Sequence, residues 1–263
     1  TIDYAVRIFR NGDGELRFQR FSQLSPSEVP VGSDQPFEDL ATVWNARDEL
    51  EAISNVADQR EYSEDASTGR YIFTWLDRDA DGVVDDTSDS STDEVIELTA
   101  DRFPSAAASP PAEDVNNFRY LGGTDDTQGE KIVSWVRGEE VAGLRSRSID
   151  YDGDAADEIW RLGDLVNSKP LLVQGVVADY DSRFSDDTYR AFRQKYEDRR
   201  QVLYVGGNDG LIHAFNAGKF SASSQSLSGD GHALGAELWA YAPMNLLPHL
   251  QWQTELDYPH VFY

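Results

Sequence analysis

Residues 201–243 restrict the possible fold more than any other stretch. "QVLYVGGNDGLIHAFNA" places Val202, Tyr204, Leu211, His213 and Phe215 in two short runs of strand character. Asn208-Asp209-Gly210 joins them with tight-turn chemistry. A Gly/Ser-rich excursion, "GKFSASSQSLSGDGHALG", leads to a third run, "GAELWAYAP", which carries Leu238 and Tyr241. Strand, tight turn, strand, loop and strand make a small antiparallel sheet. Such a unit cannot bury both faces alone and needs neighbours of the same kind. The expected fold is therefore mostly β, with this unit as one blade of a propeller.

The rest of the chain supplies strands and a few helices. "YAVRIFRNGDGELRFQRF" reads as a hairpin around Asn11-Gly12-Asp13-Gly14. "SPSEVPVGSDQP" reads as a loop. Phe37, Leu40, Ala41 and Trp44, then Leu50 and Ile53, have helical spacing after Pro36. "RYIFTWLD" and "EVIEL" are short strands on either side of a polar stretch, and "FPSAAASPPAEDV" is a connector. "GEKIVSWVRG" turns Ile132, Trp135 and Val136 inward as a helix. A further helix is expected over 185–200, capped by Ser185, with Asp186 and Asp187 in its first turn and Arg199 and Arg200 at its end. Tyr189, Phe192 and Tyr196 are its expected buried stripe.

Asp77 to Asp86, "DRDADGVVDD", concentrates more negative charge than one loop holds at rest. Two carboxylates about 4 Å apart repel by roughly 1 kcal/mol in water and about 4 kcal/mol at a partly shielded surface. The spacing suits an ion. Asp77, Asp79, Asp81 and Asp85 fall at positions one, three, five and nine of an EF-hand-like calcium loop. Gly82 falls at the sharp turn and the Val83 carbonyl at position seven; Ser88 stands where a full EF-hand has its bidentate glutamate. A second candidate is "DYDGDAADE". There Asp150, Asp152 and Asp154 alternate, Gly153 permits a bend, and Asp157 or Glu158 closes the set. Calcium is the expected ion in each.

A formal net charge of -25 over 263 residues argues against binding nucleic acid, which needs clustered Lys and Arg. The absence of cysteine removes disulfides, zinc thiolates and thiol nucleophiles together. No apolar run has the ~20 residues of a membrane helix, so no direct membrane span is expected. No nucleophile elbow, phosphate loop or His-Glu-x-x-His motif is present, and the histidines His213, His232, His249 and His260 lack ligand spacing. His213 reads as a packed strand residue. "TIDYAVRIF" and "DYPHVFY" are strand-like at the two ends, which suggests a fragment of a longer protein.

"YVGGNDGLIHAFNA…GAELWAYAP" resembles a quinoprotein-type propeller blade. Preceded by "WRLGDLVNSKPLLV" and followed by "NLLPHL", it resembles the C-terminal propeller of the PilY/PilC family of type IV pilus tip-associated adhesins and biogenesis factors. The resemblance covers 160–263 closely; ahead of it, Trp44 and Leu50, "RYIFT" and "VSWVRG" follow in order. It implies a partial β-propeller of quinoprotein-like blades with helical and loop insertions. Residues 1–159 would form its N-terminal part, with the helical insertion and acidic loop, and 160–263 would hold blades with the inserted helix 185–200. The family is known for calcium held by an aspartate loop of this kind.

By the same resemblance, the chain is a non-enzymatic, calcium-binding factor that supports pilus assembly, extension and retraction control, and surface attachment. Its partners would be minor pilins or the pilus tip complex, a host or abiotic surface ligand, and the rest of its own propeller. Its place would be the pilus tip at the surface of a Gram-negative bacterium. Some members carry Arg-Gly-Asp where Arg137-Gly138-Glu139 stands here, and no integrin-type binding is transferred. The alternatives are a quinone-dependent dehydrogenase-like propeller enzyme and a purely structural assembly scaffold.

Overall fold

In a computed structural model, residues 5–23, 28–84, 94–104, 114, 116–122, 126–151, 154–176, 178–221, 226–258 and 260–261 are described. The chain divides into two compact units, Thr1–Trp44 and Asn45–Tyr263. In the first, β1 (Ala5–Arg10), β2 (Leu16–Gln23) and β3 (Val29–Pro36) form an antiparallel sheet in that order. The expected hairpin is present. The Asn11 Oδ1 accepts from the Asp13 and Glu15 backbone N–H groups, and Gly14 takes φ +84°, so the tip is held by the side chain that opens it.

The segment read as a loop is in part β3. Pro30 and Pro36 are tolerated because β3 is an edge strand, and its register slips twice against β2. Phe18 and Phe21 are buried, with the Arg20 and Arg7 guanidinium groups over their rings.

The helix expected from Phe37 to Ile53 is broken. Phe37–Asp39 is a single 3-10 turn of the first unit, and α1 (Ala46–Glu51) opens the second. Asn45 starts α1 by accepting from the Arg47 N–H, and Leu50 is its buried residue. β4 (Ile72–Trp75) and β5 (Val95–Glu97) follow, then α2 (Asp126–Arg137), and then the small pair β6 (Ser148–Ile149) and β7 (Glu158–Ile159). Beyond them lie β8 (Leu171–Val173), α3 (Tyr180–Phe184), α4 (Asp187–Lys195), β9 (Gln201–Gly206), β10 (Ile212–Ser221), β11 (Ser226–Ser228), β12 (Glu237–Ala242) and α5 (Leu250–Gln253).

Strands dominate, and no closed barrel is formed among the described residues. The main sheet runs β5-β4-β12-β10-β9-β8, with β11 attached to β10. It draws strands from both sides of residue 160. β8, β9, β10 and β12 are joined antiparallel, and β4 enters parallel to β12. The predicted strands and turn of 201–243 are all present. Gly210 has φ +78°, its N–H reaches the Gly207 carbonyl at 3.1 Å, and the Asp209 Oδ1 accepts from the Leu211 N–H at 3.1 Å. The excursion contains β11, and Asn216 donates to the carbonyls of Gly229, His232 and Ala233.

One face of the sheet packs on α2. Ile72, Leu211, Ala240 and Ala242 meet Ile132, Val133, Trp135 and Val136 in a single core with Leu98, Phe103 and Leu121. The small side chains of β12 let α2 approach, and the inward turn expected of Ile132, Trp135 and Val136 is present. The opposite face carries a half-buried aromatic row. Phe73 lies 5.7 Å from Trp239 and 5.2 Å from Tyr241, and Trp239 lies 5.6 Å from Tyr204.

The helix expected over 185–200 is shorter, and its stripe is not buried. Ser185 ends α3 in the left-handed region, and Asp186 caps α4 by accepting from the Thr188 and Tyr189 N–H groups. Tyr180, Tyr189, Phe192 and Tyr196 stack in succession, yet Phe192 is 45% exposed and no residue of α4 is buried.

Candidate metal centre and the buried charge cluster

The aspartate loop leaves β4 on a fixed stem. Leu76 is fully buried, and its N–H donates to the Glu94 carbonyl at 2.9 Å. The buried Glu94 carboxylate accepts from the Trp75 indole at 3.0 Å and the Arg78 N–H at 2.6 Å. The Arg78 guanidinium reaches the buried Asp114 at 3.1 Å, and Arg102 pairs with the same carboxylate. The Asp77 N–H faces the Met244 sulfur at 3.2 Å.

Beyond that stem the carboxylates turn inward. The Asp77 Oδ1 and the Asp79 Oδ1 both accept from the Asp81 N–H, the Asp77 Oδ2 accepts from Gly82, and the Asp81 Oδ1 accepts from Val83 at 2.7 Å. Ala80 and Gly82 both take positive φ, which lets alternate side chains face one centre. One oxygen each from Asp77, Asp79 and Asp81 lies within 4.8 Å of the others. Oxygens about 2.3–2.6 Å from a shared calcium ion can be up to about 5 Å apart, so the trio has room for one ion. Asp77 is half-buried, and Asp79 and Asp81 are exposed. Asp85, the expected ninth-position ligand, lies outside the described residues; Val83 follows the trio, with its side chain 56% exposed.

The second loop is less convergent. The Asp150 Oδ2 accepts from the Ala155 N–H at 3.1 Å, and the Asp154 Oδ1 accepts from Ala156 at 2.8 Å. Ala155 holds φ 72° where an EF-hand-like loop has glycine. Asp157 is exposed, Glu158 stands on β7 opposite Ile149, and Asp152 lies outside the described residues. Among the described residues, the only trio of carboxylates with oxygens this close is that of Asp77, Asp79 and Asp81.

The sequence reading missed a buried charge cluster between β9 and β12. His213 is fully buried on β10, where it stacks on Phe215 at 5.4 Å. Its Nδ1 meets the Glu237 Oε1 at 2.8 Å and its Nε2 meets the Asp209 Oδ2 at 3.0 Å. The fully buried Glu237 carboxylate also accepts two bonds from the Arg70 guanidinium, at 2.8 and 2.7 Å. Burial alone would lower the His213 pKa, but the Asp209 and Glu237 carboxylates outweigh it and push it up to about 9. Burial likewise opposes ionisation of Glu237, and Arg70 and His213 reverse that, holding it well below the usual carboxylate range. Asp209 is lowered too, because His213 and the Gly163 and Leu211 N–H groups overcome its burial. Both imidazole nitrogens are engaged, so His213 stands as an imidazolium that locks turn to strand. An apolar alternation around one histidine was the only sequence signal of it.

Arg137 is likewise internal. It is fully buried and donates to the Val56, Asp58, Arg70 and Leu98 carbonyls, which makes Arg137-Gly138-Glu139 a framework element. Among the described residues, no helix is long and apolar enough to cross a membrane.

No family model matches the chain, and no solved structure matches it. Curated relatives do. A type IV pilus biogenesis factor PilY1 homolog of Xylella fastidiosa strain Temecula1 is 29% identical over 134 residues, 50% of this chain and 9% of the relative. A second match of that name and organism is 25% identical over 213 residues, 74% of this chain and 13% of the relative. Type IV pilus biogenesis factor PilY1 of Pseudomonas aeruginosa strain UCBPP-PA14 is 31% identical over 97 residues, 35% of this chain and 7% of the relative. The chain thus spans about a tenth of the length of the curated relatives it matches. These matches bear out the resemblance to the PilY/PilC family drawn from the sequence.

Proposed function

We propose that this PilY1-like chain works in type IV pilus biogenesis as a non-enzymatic, calcium-binding element of the pilus tip, outside the cell. The names of its relatives support the biogenesis role. Calcium binding rests on one observation: Asp77, Asp79 and Asp81 converge on one centre at the end of a fixed stem. Calcium would be held by one oxygen from each, with Asp85 and the Val83 carbonyl completing the set. The ion cancels the mutual repulsion and orders the exposed tip, while the Glu94 clamp keeps the stem unchanged. The ordered tip presents Val83 and Val84, 56% and 51% exposed, to a pilus or surface partner.

The β8-β9-β10-β12 meander supports a partial propeller, because four antiparallel strands make one blade. Its aromatic face, with Phe73, Trp239 and Tyr241 half-buried, is where a neighbouring blade would stack. Minor pilins, a surface ligand and the remaining blades are the partners this reading assigns.

Calorimetry of the purified chain with calcium tests the proposal. One saturable event is expected, lost in Asp79→Asn and Asp81→Asn. Asp150→Ala lowers the stoichiometry only if the second loop also binds. A folded chain that takes up no calcium overturns the metal reading. Adhesion scored on cells whose piliation is restored independently separates the tip adhesin from an assembly scaffold.

A further inference from the structure

The second unit contains a cavity of about 410 Å³ lined by three arginines against two aspartates, Asp164 and Asp209, in a protein of net charge -25. Arg145, Arg147 and Arg161 line it, and none of them makes an ion pair with a carboxylate among the described residues. Arg145 gives its Nε to the Gln253 carbonyl at 2.8 Å, and Arg147 gives Nη2 to the Trp135 carbonyl. Arg161 serves the Leu50, Glu51 and Gly138 carbonyls. These bonds fix the guanidinium planes and leave donors over. The Arg147 Nε and the Gln253 Nε2 are closed to solvent and meet no acceptor among the described residues, so the donors that face the cavity are the remaining guanidinium N–H groups.

The nearby carboxylates do not pair with these guanidinium groups: Glu140 accepts from the Arg147 backbone N–H at 2.9 Å. Both Asp209 oxygens are committed to His213, Gly163 and Leu211, and Asp164 stands exposed at the rim. Burial accordingly holds Arg145, Arg147 and Arg161 below their ordinary pKa, and guanidinium remains charged at neutral pH regardless.

The other walls are apolar and aromatic. Arg147 lies 3.9 Å from the Trp135 ring centre, and Arg145 lies 5.0 Å from it and 4.9 Å from Tyr258. Trp160, 38% exposed, and Ile149, 51% exposed, stand at the mouth. A cavity of this size, apolar-walled with a few convergent polar groups, is a small-ligand site. We infer that it binds a small organic carboxylate with an apolar or aromatic body: the carboxylate on Arg145 and Arg147, the body between Trp135, Trp160 and Tyr258. Phosphate-like anions fit worse, since they bring no apolar surface to those walls.

The test titrates the full chain with phenylacetate, phenylacetamide and acetate, read by calorimetry and tryptophan fluorescence. Phenylacetate is expected to bind one per chain, with the amide and acetate each at least about tenfold weaker, the loss of one charge-assisted contact set or of the apolar body. Arg145→Gln is expected to lose about tenfold. Ile149→Trp, a change at an exposed position that narrows the mouth, is expected to weaken binding without unfolding the chain. Equal binding of phenylacetamide overturns the inference. So does binding unaltered in both variants, or no saturable phenylacetate binding into the millimolar range.

Discussion

Raising the pH through about 9 should unlock the His213 cluster. The His213 pKa stands at about 9 in the folded protein against an ordinary 6.5. A group raised on folding contributes stability that is fully present below its unfolded value and is lost as the pH climbs through its folded one. Each unit of difference is worth ~1.4 kcal/mol, so the interval amounts to on the order of 3 kcal/mol. That is a large share of the roughly 5–15 kcal/mol that hold a domain together. Asp209 and Glu237 are shifted the other way, so their contribution is present above ordinary carboxylate values and fades in acid. Urea unfolding followed by tryptophan fluorescence should give greatest stability at roughly pH 5–6.5 and a steady fall towards pH 9. Removing the imidazole alone takes the partner from the Asp209 carboxylate, while Glu237 keeps Arg70, so the informative variant is the double change Asp209→Asn with His213→Gln. It should be less stable at pH 6 but have a flatter alkaline limb. A ring titration placing His213 near 6.5 by NMR, or unchanged stability from pH 6.5 to 9, would refute the reasoning.

Further consequences follow from packing. Ile72→Ala, at a fully buried position facing α2, should cost about 2–5 kcal/mol in denaturant unfolding. Phe192→Ala should cost no more than about 1 kcal/mol, because the ring is 45% exposed and loses only its tilted contacts with Tyr189 and Tyr196; a loss of core size would show the stripe buried. Gly210→Ala should destabilise by about 1–3 kcal/mol, since the residue holds φ +78° and an added methyl would lie 2.9 Å from Leu250. The same methodology on Asn45→Ala should register about 1 kcal/mol for the lost cap of α1.

Much of the sheet was legible because its strands announce themselves locally. "RYIFTW" and 201–243 pair β-branched and aromatic residues with turn chemistry, and both lie where they were expected. The aspartate trio was legible for the same reason: spacing and glycine are short-range facts. Errors came where long-range context decides. Helical spacing from Phe37 to Ile53 could not reveal that the chain passes from one compact unit to the next at Trp44. The amphipathic pattern of α4 marked a helix correctly but could not say whether anything covers its aromatic face. β3 carries two prolines, and only its edge position makes that harmless.

The deepest omission concerns arginine, which reads as surface in any composition. Here it does the work that longer strands would otherwise do. β4, β5, β8 and the β6-β7 pair are only two to four residues long. Arg60 serves Glu61, Tyr62, Glu237 and Leu238; Arg137 serves Val56, Asp58, Arg70 and Leu98; Arg161 serves Leu50, Glu51 and Ile53. One guanidinium offers five donors in a fixed plane, so a few of them can tie irregular backbone from distant parts of the chain to one sheet. The cost is buried positive charge, which Glu237 balances at Arg70 and which, among the described residues, no carboxylate pairs at Arg145 and Arg147. The aspartate trio lies at the surface while buried arginines stitch the interior. The two candidate sites follow from that division: carboxylates converging outside, where a cation can reach them, and guanidinium groups converging on a cavity, where an anion can.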